Sequence, residues 1–192
     1  IYTILDLVDL CMITNFRFRD AFYELSEGLA MGSPSSPVIA DIYMGQLEEQ
    51  ALATFKNPPR FWCRFVDDIF SILKKRYLDS FLAHLNRQHT AITFTVETEN
   101  EGCLPFLDAK VQRLDGSLVT SVYRKPTHTG RYLAFSSNHP INVKRSVVDA
   151  LVGRREYVTS NESDAEHELE TVRNDLACND YSDRKSTRLN SS

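Results

Sequence analysis

The sequence lacks any apolar run near the roughly 20 residues that a membrane-spanning helix needs, and no signal peptide opens the chain. We therefore expect a soluble protein with no membrane partner. Cys-x-x-Cys spacing is also absent, because the four cysteines are scattered: Cys11, Cys63, Cys103 and Cys178. Neither a zinc site nor a disulfide framework is indicated. Reduced thiols are typical of an intracellular protein, which is the location we expect.

Acidic residues are scarce in one segment and basic residues in another, although the net charge of the 192 residues is only −4. Residues 110–155 contain nine basic and two acidic residues, whereas residues 156–183 contain nine acidic residues and one basic residue, Arg173. Aromatic residues lie among the bases, a combination that suits contact with phosphates and bases. A solvated strand and helix surface is the alternative. The composition, 42% hydrophobic, allows a sizeable core in one domain.

Two adjacent carboxylates, Asp67 and Asp68, interrupt a segment of strand-forming residues. The flanks, 61–66 and 69–73, are rich in aromatic and β-branched residues, which predicts a strand–turn–strand hairpin. At the tip of a tight hairpin both side chains can point into one groove, where a divalent cation offsets their repulsion. An ordinary acidic turn is the alternative, because aspartate is a favoured turn residue.

A loop rich in glycine and serine lies upstream, at 28–37. Gly28 and Gly32 allow positive φ or close backbone approach. Ser35 or Ser36 can cap the helix that we predict over residues 37–55. Its apolar face recurs every fourth residue: Ile39, Tyr43, Leu47, Ala51 and Phe55. Loops of this kind are common structural features without a functional role. The position of this loop before the aspartate pair favours a functional role.

These motifs, in this order, resemble a reverse transcriptase, most closely those of Penelope-like retroelements. The matching segments lie within residues 1–158: Gly28–Tyr43, Phe65–Asp68, Leu104–Asp108, Val122–Leu133 and Ser137–Pro140. The resemblance implies an α+β fold, a polymerase palm with an antiparallel sheet and helices packed on one face, followed by a partial helical thumb. It also implies an RNA-directed DNA polymerase that uses two metal ions to transfer nucleotides onto a primer 3′-hydroxyl.

The resemblance further implies roles for individual residues. Asp67 and Asp68 would be the catalytic residues and would bind Mg²⁺, with Mn²⁺ as a possible substitute. The residues that would position nucleotide and template are Gly32, Ser33 and Pro34. The residues that would meet nucleic acid are Arg124, Lys125, Arg131, Lys144 and Arg145. The implied partners are an RNA template, a DNA primer and deoxynucleoside triphosphates.

The family uses a third carboxylate on a strand upstream of the glycine loop, and residues 1–12 show helical spacing instead. The chain also starts with Ile instead of Met, so we expect a fragment that is inactive alone. The expected domains are a partial palm without fingers at 1–125, the start of a thumb at 126–158, an acidic helix or linker at 159–182, and a non-native, vector-like tail at 183–192. The alternative is a catalytically inactive retroelement remnant that only binds nucleic acid. A nuclear location follows from retroelement biology alone.

Periodicity predicts the remaining elements. The expected helices lie at 2–13, 77–85, 142–157 and 161–177. Asn142 can cap the third of these, with Val143, Val147, Val148 and Leu151 facing inward. The expected strands lie at 16–19, 22–25, 92–97, 106–113 and 117–123, the last two joined by a hairpin turn at Asp115–Gly116.

Overall fold

The computed structural model describes residues 2–26 and 28–181 of the chain. These residues form two compact units, one up to Val96 and the other from Glu97 onward. Both units mix helices with short antiparallel strands, so the predicted α+β class is confirmed. The predicted vector-like tail at 183–192 lies outside the described residues.

The first unit contains three α-helices and two hairpins. Its elements in chain order are α1 (Tyr2–Met12), β1 (Asn15–Phe18), β2 (Ala21–Glu24), α2 (Ser36–Thr54), β3 (Phe61–Phe65), β4 (Asp68–Ile72) and, after a 3₁₀ turn at Lys75–Tyr77, α3 (Leu78–Leu85). Ala51 of α2 and Phe81 and Leu85 of α3 are buried together and form its core. Trp62 of β3 packs edge-on against Phe81, with ring centroids 5.7 Å apart. The aspartate hairpin is therefore anchored on this core.

The second unit contains a three-stranded sheet followed by two helices. Its elements are β5 (Cys103–Phe106), β6 (Ala109–Leu114), β7 (Ser117–Val122), α4 (Ile141–Val158) and α5 (Glu162–Cys178). β6 lies between β5 and β7, and all pairs are antiparallel. The core lies between the two helices and contains Leu151, Val172, Leu176 and Tyr181. The acidic helix is therefore packed against α4 and is not a linker.

Most of the predicted elements are confirmed, including both hairpins that turn chemistry indicated. Asp115 and Gly116 have φ of +48° and +81°, as expected for the turn type that Asp-Gly favours between strands. The predicted strand at 92–97 is wrong, since it has no ladder partner. The Asn86 side chain instead bonds both backbone groups of Phe94, accepting from N at 2.6 Å and donating to O at 3.0 Å.

The palm with a single sheet is not confirmed. The described strands form three separate sheets of two, two and three strands. Strand β5 was not predicted, and it contains Pro105, a residue that cannot donate a ladder hydrogen bond. It is tolerated there because β5 is an edge strand, with β6 as its one neighbour.

The two predicted helix caps make no side-chain cap bond, and a third helix has a side-chain cap that was not predicted. Neither Ser35 nor Ser36 makes a side-chain cap bond at α2. Asn142 lies inside α4, whose N-cap is Pro140, without a side-chain bond. Asn161 caps α5, and its side chain accepts from Asp164 N at 2.8 Å. None of the helices within the described ranges combines the length and apolarity that crossing a membrane requires.

Candidate functional site

The aspartate pair lies at the turn of the β3–β4 hairpin. Phe65 pairs with Asp68, so Val66 and Asp67 form a two-residue turn. Both carboxylate side chains are exposed. Val66 has φ of +57°, a genuine outlier for a β-branched residue. Backbone strain of this kind is concentrated at functional sites. The strained turn is therefore a candidate functional site.

Arg64 ties the hairpin to helix α2. Its Nε donates to Glu48 at 2.9 Å and its Nη2 to the Asp41 carboxylate at 2.8 Å. Its Nη1 also donates to the carbonyl of Val66, next to the aspartates, at 3.2 Å. The Arg64 side chain is only 11% exposed. It pairs with the helix, and its carboxylate partners do not include the aspartate pair.

This network also affects the ionisation of Arg64. Burial lowers its pKa, but the hydrogen bonds and charges of Glu48 and Asp41 outweigh the burial, so the pKa of Arg64 is raised. The guanidinium is therefore charged at every physiological pH. Glu48 and Asp41 neutralise the positive charge of Arg64. Arg64 therefore does not offset the negative charges of Asp67 and Asp68.

The turn offers hard oxygen ligands of the kind that Mg²⁺ prefers. The described residues contain no group of three or more His, Cys, Asp or Glu side chains that could hold a metal ion. Two neighbouring carboxylates suit a hydrated ion held weakly, with water filling the remaining positions. The metal and catalytic roles of Asp67 and Asp68 stay predictions.

The glycine–serine loop is folded around one carbonyl oxygen. Ala30 O accepts from Ser33 N at 3.3 Å and from Ser36 Oγ at 2.8 Å. Gly32 has φ of +95°, as expected for a glycine that permits the turn. The loop leads directly into α2, the same helix that Arg64 binds. The positioning roles of Gly32, Ser33 and Pro34 stay predictions.

The five predicted nucleic-acid residues differ in accessibility. Three of them are exposed: Lys125, Arg131 and Arg145. Lys144 is 9% exposed, and its ammonium donates to the carbonyls of Phe135 and Ser137, both at 2.6 Å. Lys144 thus holds the segment before α4 in place, and contact between it and a nucleic acid stays a prediction.

The fifth residue, Arg124, belongs to a partly buried ion-pair group in the second unit. Both of its terminal nitrogens bond Glu168 of α5, at 2.5 and 2.7 Å. Arg154 of α4 lies 3.7 Å from the same carboxylate, which is 5% exposed. The hydrogen bonds to Glu168 raise the pKa of Arg124, against a smaller opposing effect of burial. The sequence drew no attention to Arg154, because only the fold brings α4, α5 and the end of β7 together.

The connection between α4 and α5 is three residues long and is fixed to the sheet. Ser160 N donates to Thr120 O at 2.9 Å, and Thr120 N donates to Ser160 Oγ at 2.8 Å. The turn thereby satisfies backbone groups at the outer strand, β7. The two helices therefore form a helix–turn–helix pair held against β7.

The comparisons agree with this helix pair. Residues 131–189 match the family described as an animal helix-turn-helix domain. The match spans the segment before α4, both helices and residues 182–189, which lie outside the described ranges. No curated protein and no solved structure matches the chain.

This match corrects the assignment of the chain to the reverse transcriptases of Penelope-like retroelements, which is wrong. The resemblance depended on short loop, turn and hairpin motifs. Such motifs recur in unrelated folds, because the same residues satisfy the same backbone conformations wherever a tight turn is needed. The helical segment at the end of the chain is instead similar to an animal helix-turn-helix domain.

Proposed function

We propose that the second unit binds nucleic acid. The observation that supports this most is the match of residues 131–189 to a helix-turn-helix domain, a motif that binds DNA in many proteins. Exposed cations in the same unit, Lys125, Arg131 and Arg145, add electrostatic attraction for phosphates.

The charges of the two helices indicate which one meets the nucleic acid. In many helix-turn-helix proteins the second helix enters the major groove. Here that helix, α5, carries six acidic residues and one arginine, so phosphates would repel it. Helix α4 carries four basic and two acidic residues, and Arg145 is its exposed basic residue. Contact through α4 and the segment before it is therefore the arrangement we propose.

The test is an anisotropy titration of labelled duplex and single-stranded DNA and of RNA at several salt concentrations. We expect Arg131→Gln with Arg145→Gln to weaken binding about tenfold and to reduce the salt dependence by roughly two phosphate contacts. Lys56→Gln, an exposed lysine of the first unit, is the matched control and should change nothing. Equal nucleic-acid affinities of the unsubstituted chain, the double variant and Lys56→Gln would overturn the proposal.

A second candidate function concerns the first unit: metal-dependent nucleotidyl transfer at Asp67 and Asp68. The observation that favours it is the exposed carboxylate pair on a strained turn, fixed to α2 through Arg64. In this proposal the chain is part of an RNA-directed DNA polymerase with a palm-like unit. Its partners are Mg²⁺ or Mn²⁺, an RNA template, a DNA primer and deoxynucleoside triphosphates, and its location is the nucleus.

Bound metal ions would lower the pKa of the primer 3′-hydroxyl and neutralise the leaving phosphates. Asp67 and Asp68 would hold them, and the loop at Gly32–Pro34 would orient the template base. Since only two carboxylates are present at the turn, binding without substrate should be weak. A chain that binds nucleic acid but transfers no nucleotides is the alternative.

Mn²⁺ binding, followed by water proton relaxation, tests the carboxylate pair directly. Asp67→Asn should weaken binding about tenfold, because one of two adjacent anionic ligands is lost. Asp6→Asn, at an exposed aspartate of α1, is the matched control. Primer extension on an RNA template, with the same variants, then tests the chemistry. Metal binding that is unaffected by Asp67→Asn would exclude this site.

A further inference from the structure

A cavity of about 250 Å³ opens beside the Arg124–Glu168–Arg154 group of the second unit. Its lining combines cationic, hydroxyl and aromatic residues: Tyr123, Arg124, Lys125, Thr127, His128 and Arg154. Asp108 and Leu107 complete it. The lining side chains thus include three permanent cations and one carboxylate. Glu168 pairs with Arg124 and Arg154, so Lys125 is the cation whose charge is left to attract an anion.

The two arginines have hydrogen-bonding capacity that their protein partner does not use. A guanidinium has five N–H donors, and Glu168 has two oxygens to share between Arg124 and Arg154. Within the described residues, Arg124 Nε and Arg154 Nε and Nη2 are buried without a hydrogen-bond acceptor. Buried donors without acceptors are costly, so an anion that lets the guanidiniums rotate toward it would relieve that cost.

The remaining lining residues match a phosphate group. Lys125 is exposed, and its ammonium has no ion-pair partner among the described residues. Thr127 offers a hydroxyl donor at the exposed rim. Arginine forks bind phosphate oxygens in pairs, and lysine adds a point charge. Tyr123 provides a flat apolar surface beside these donors, which suits the sugar or base next to a phosphate.

We propose that this cavity is a phosphate-binding site, and that the phosphate it takes is one phosphodiester of the nucleic acid bound by the second unit. The assignment of the phosphate to a nucleic acid rests on the proposed function. A free phosphate-bearing ligand has the same chemistry, so the test separates the two sources.

The first experiment titrates the whole chain with inorganic phosphate and follows the amide NMR signals of Thr127 and His128. Sodium chloride at equal ionic strength is the reference for simple screening. We expect saturable shifts that Lys125→Gln weakens about tenfold, the value of one charge-assisted hydrogen bond. Lys125→Gln changes an exposed side chain and should leave the fold intact. Lys56→Gln, an exposed lysine of the first unit that lies outside the lining, is the matched control and should bind phosphate normally.

Arg154→Gln is a second variant that acts on the buried side of the cavity, with folding checked by circular dichroism. Loss of phosphate binding in both Lys125→Gln and Arg154→Gln, but not in Lys56→Gln, supports the site. Shifts that are the same in phosphate and chloride, or that are unchanged by Lys125→Gln, would overturn it.

The second experiment repeats the titration with a labelled oligonucleotide, with and without a terminal phosphate. If the site takes a phosphodiester, Lys125→Gln reduces affinity for both oligonucleotides, and inorganic phosphate competes. If phosphate binds but neither oligonucleotide does, the phosphodiester assignment and the proposed function are wrong and the site takes a free ligand. If DNA binding depends on Arg131 and Arg145 but not on Lys125, the function holds and the phosphodiester assignment is overturned.

Discussion

Single residues decide the geometry of the aspartate turn. Val66 adopts a conformation that glycine favours, at φ +57°, and it is 71% exposed. The Val66 side chain therefore makes little packing contact that could offset the energy of the backbone strain. The Arg64 guanidinium, on the side of helix α2, donates a hydrogen bond to the backbone carbonyl of Val66. The turn is thus held by its neighbours in a shape that its own residues disfavour.

We predict that Val66→Gly stabilises the protein by about 1 kcal/mol, because the relief of strain outweighs the added backbone entropy of glycine. Thermal or urea unfolding measures the change. Val96→Gly is the control, since Val96 is also exposed but has no positive φ. That variant should be neutral or slightly destabilising. Destabilisation by both changes alike would mean that Val66 is not strained.

At the scale of elements, α5 depends on its first turn and on its partners more than on its own composition. It is acidic throughout, and Glu162 and Asp164 interact favourably with the positive end of the helix dipole. Asn161 adds a side-chain cap bond to Asp164 N. Ala165, Val172 and Leu176 are buried in the second unit. The segment that the sequence left open as an acidic helix or a linker is therefore a structural part of the helix pair.

Asn161→Ala should destabilise the second unit by about 1 kcal/mol, since it removes the bond that satisfies one free N–H of the helix start. Chemical denaturation, followed by helical circular dichroism, is the measurement. Asn142→Ala is the matched control, because Asn142 makes no cap and is exposed inside α4. An equal loss in both variants would argue against the cap.

At the scale of the whole molecule, the chain builds two cores. Leu85, Ala51 and Phe81 form the core of the first unit, and Leu176 and Val172 lie in the core of the second. Each unit has its own helices and antiparallel sheets. Units of this kind can unfold separately, because each buries its own apolar surface.

Leu85→Ala and Leu176→Ala should each cost about 3 kcal/mol, but in different units. Hydrogen exchange followed by mass spectrometry should show faster exchange in α2 and α3 for the first variant, and in α4 and α5 for the second. Leu118→Ala, at a half-exposed strand residue, is the control for a Leu→Ala change outside a core. Faster exchange in both units after either core substitution would contradict separate unfolding.

The sequence by itself determined the local elements. Period-four apolar residues defined the helices, and turn residues near Asp67 and at Asp115–Gly116 indicated hairpins, because turn conformations depend on a few adjacent side chains. The first turn lies one residue earlier than predicted, at Val66–Asp67. It failed at 92–97, where an alternating pattern met no strand partner. It also failed in the assignment to a family, because loop and turn motifs recur across folds.

Only the tertiary structure decided which charges are accessible. Lys144, Arg124 and Arg154 all lie in the basic segment of the sequence. Folding buries the first against carbonyl oxygens and pairs the other two with Glu168. The physical reason is that an ion pair between distant positions forms only when tertiary packing brings the two groups together, and a linear pattern cannot specify that. Folding also leaves Arg145 as the exposed basic residue of helix α4.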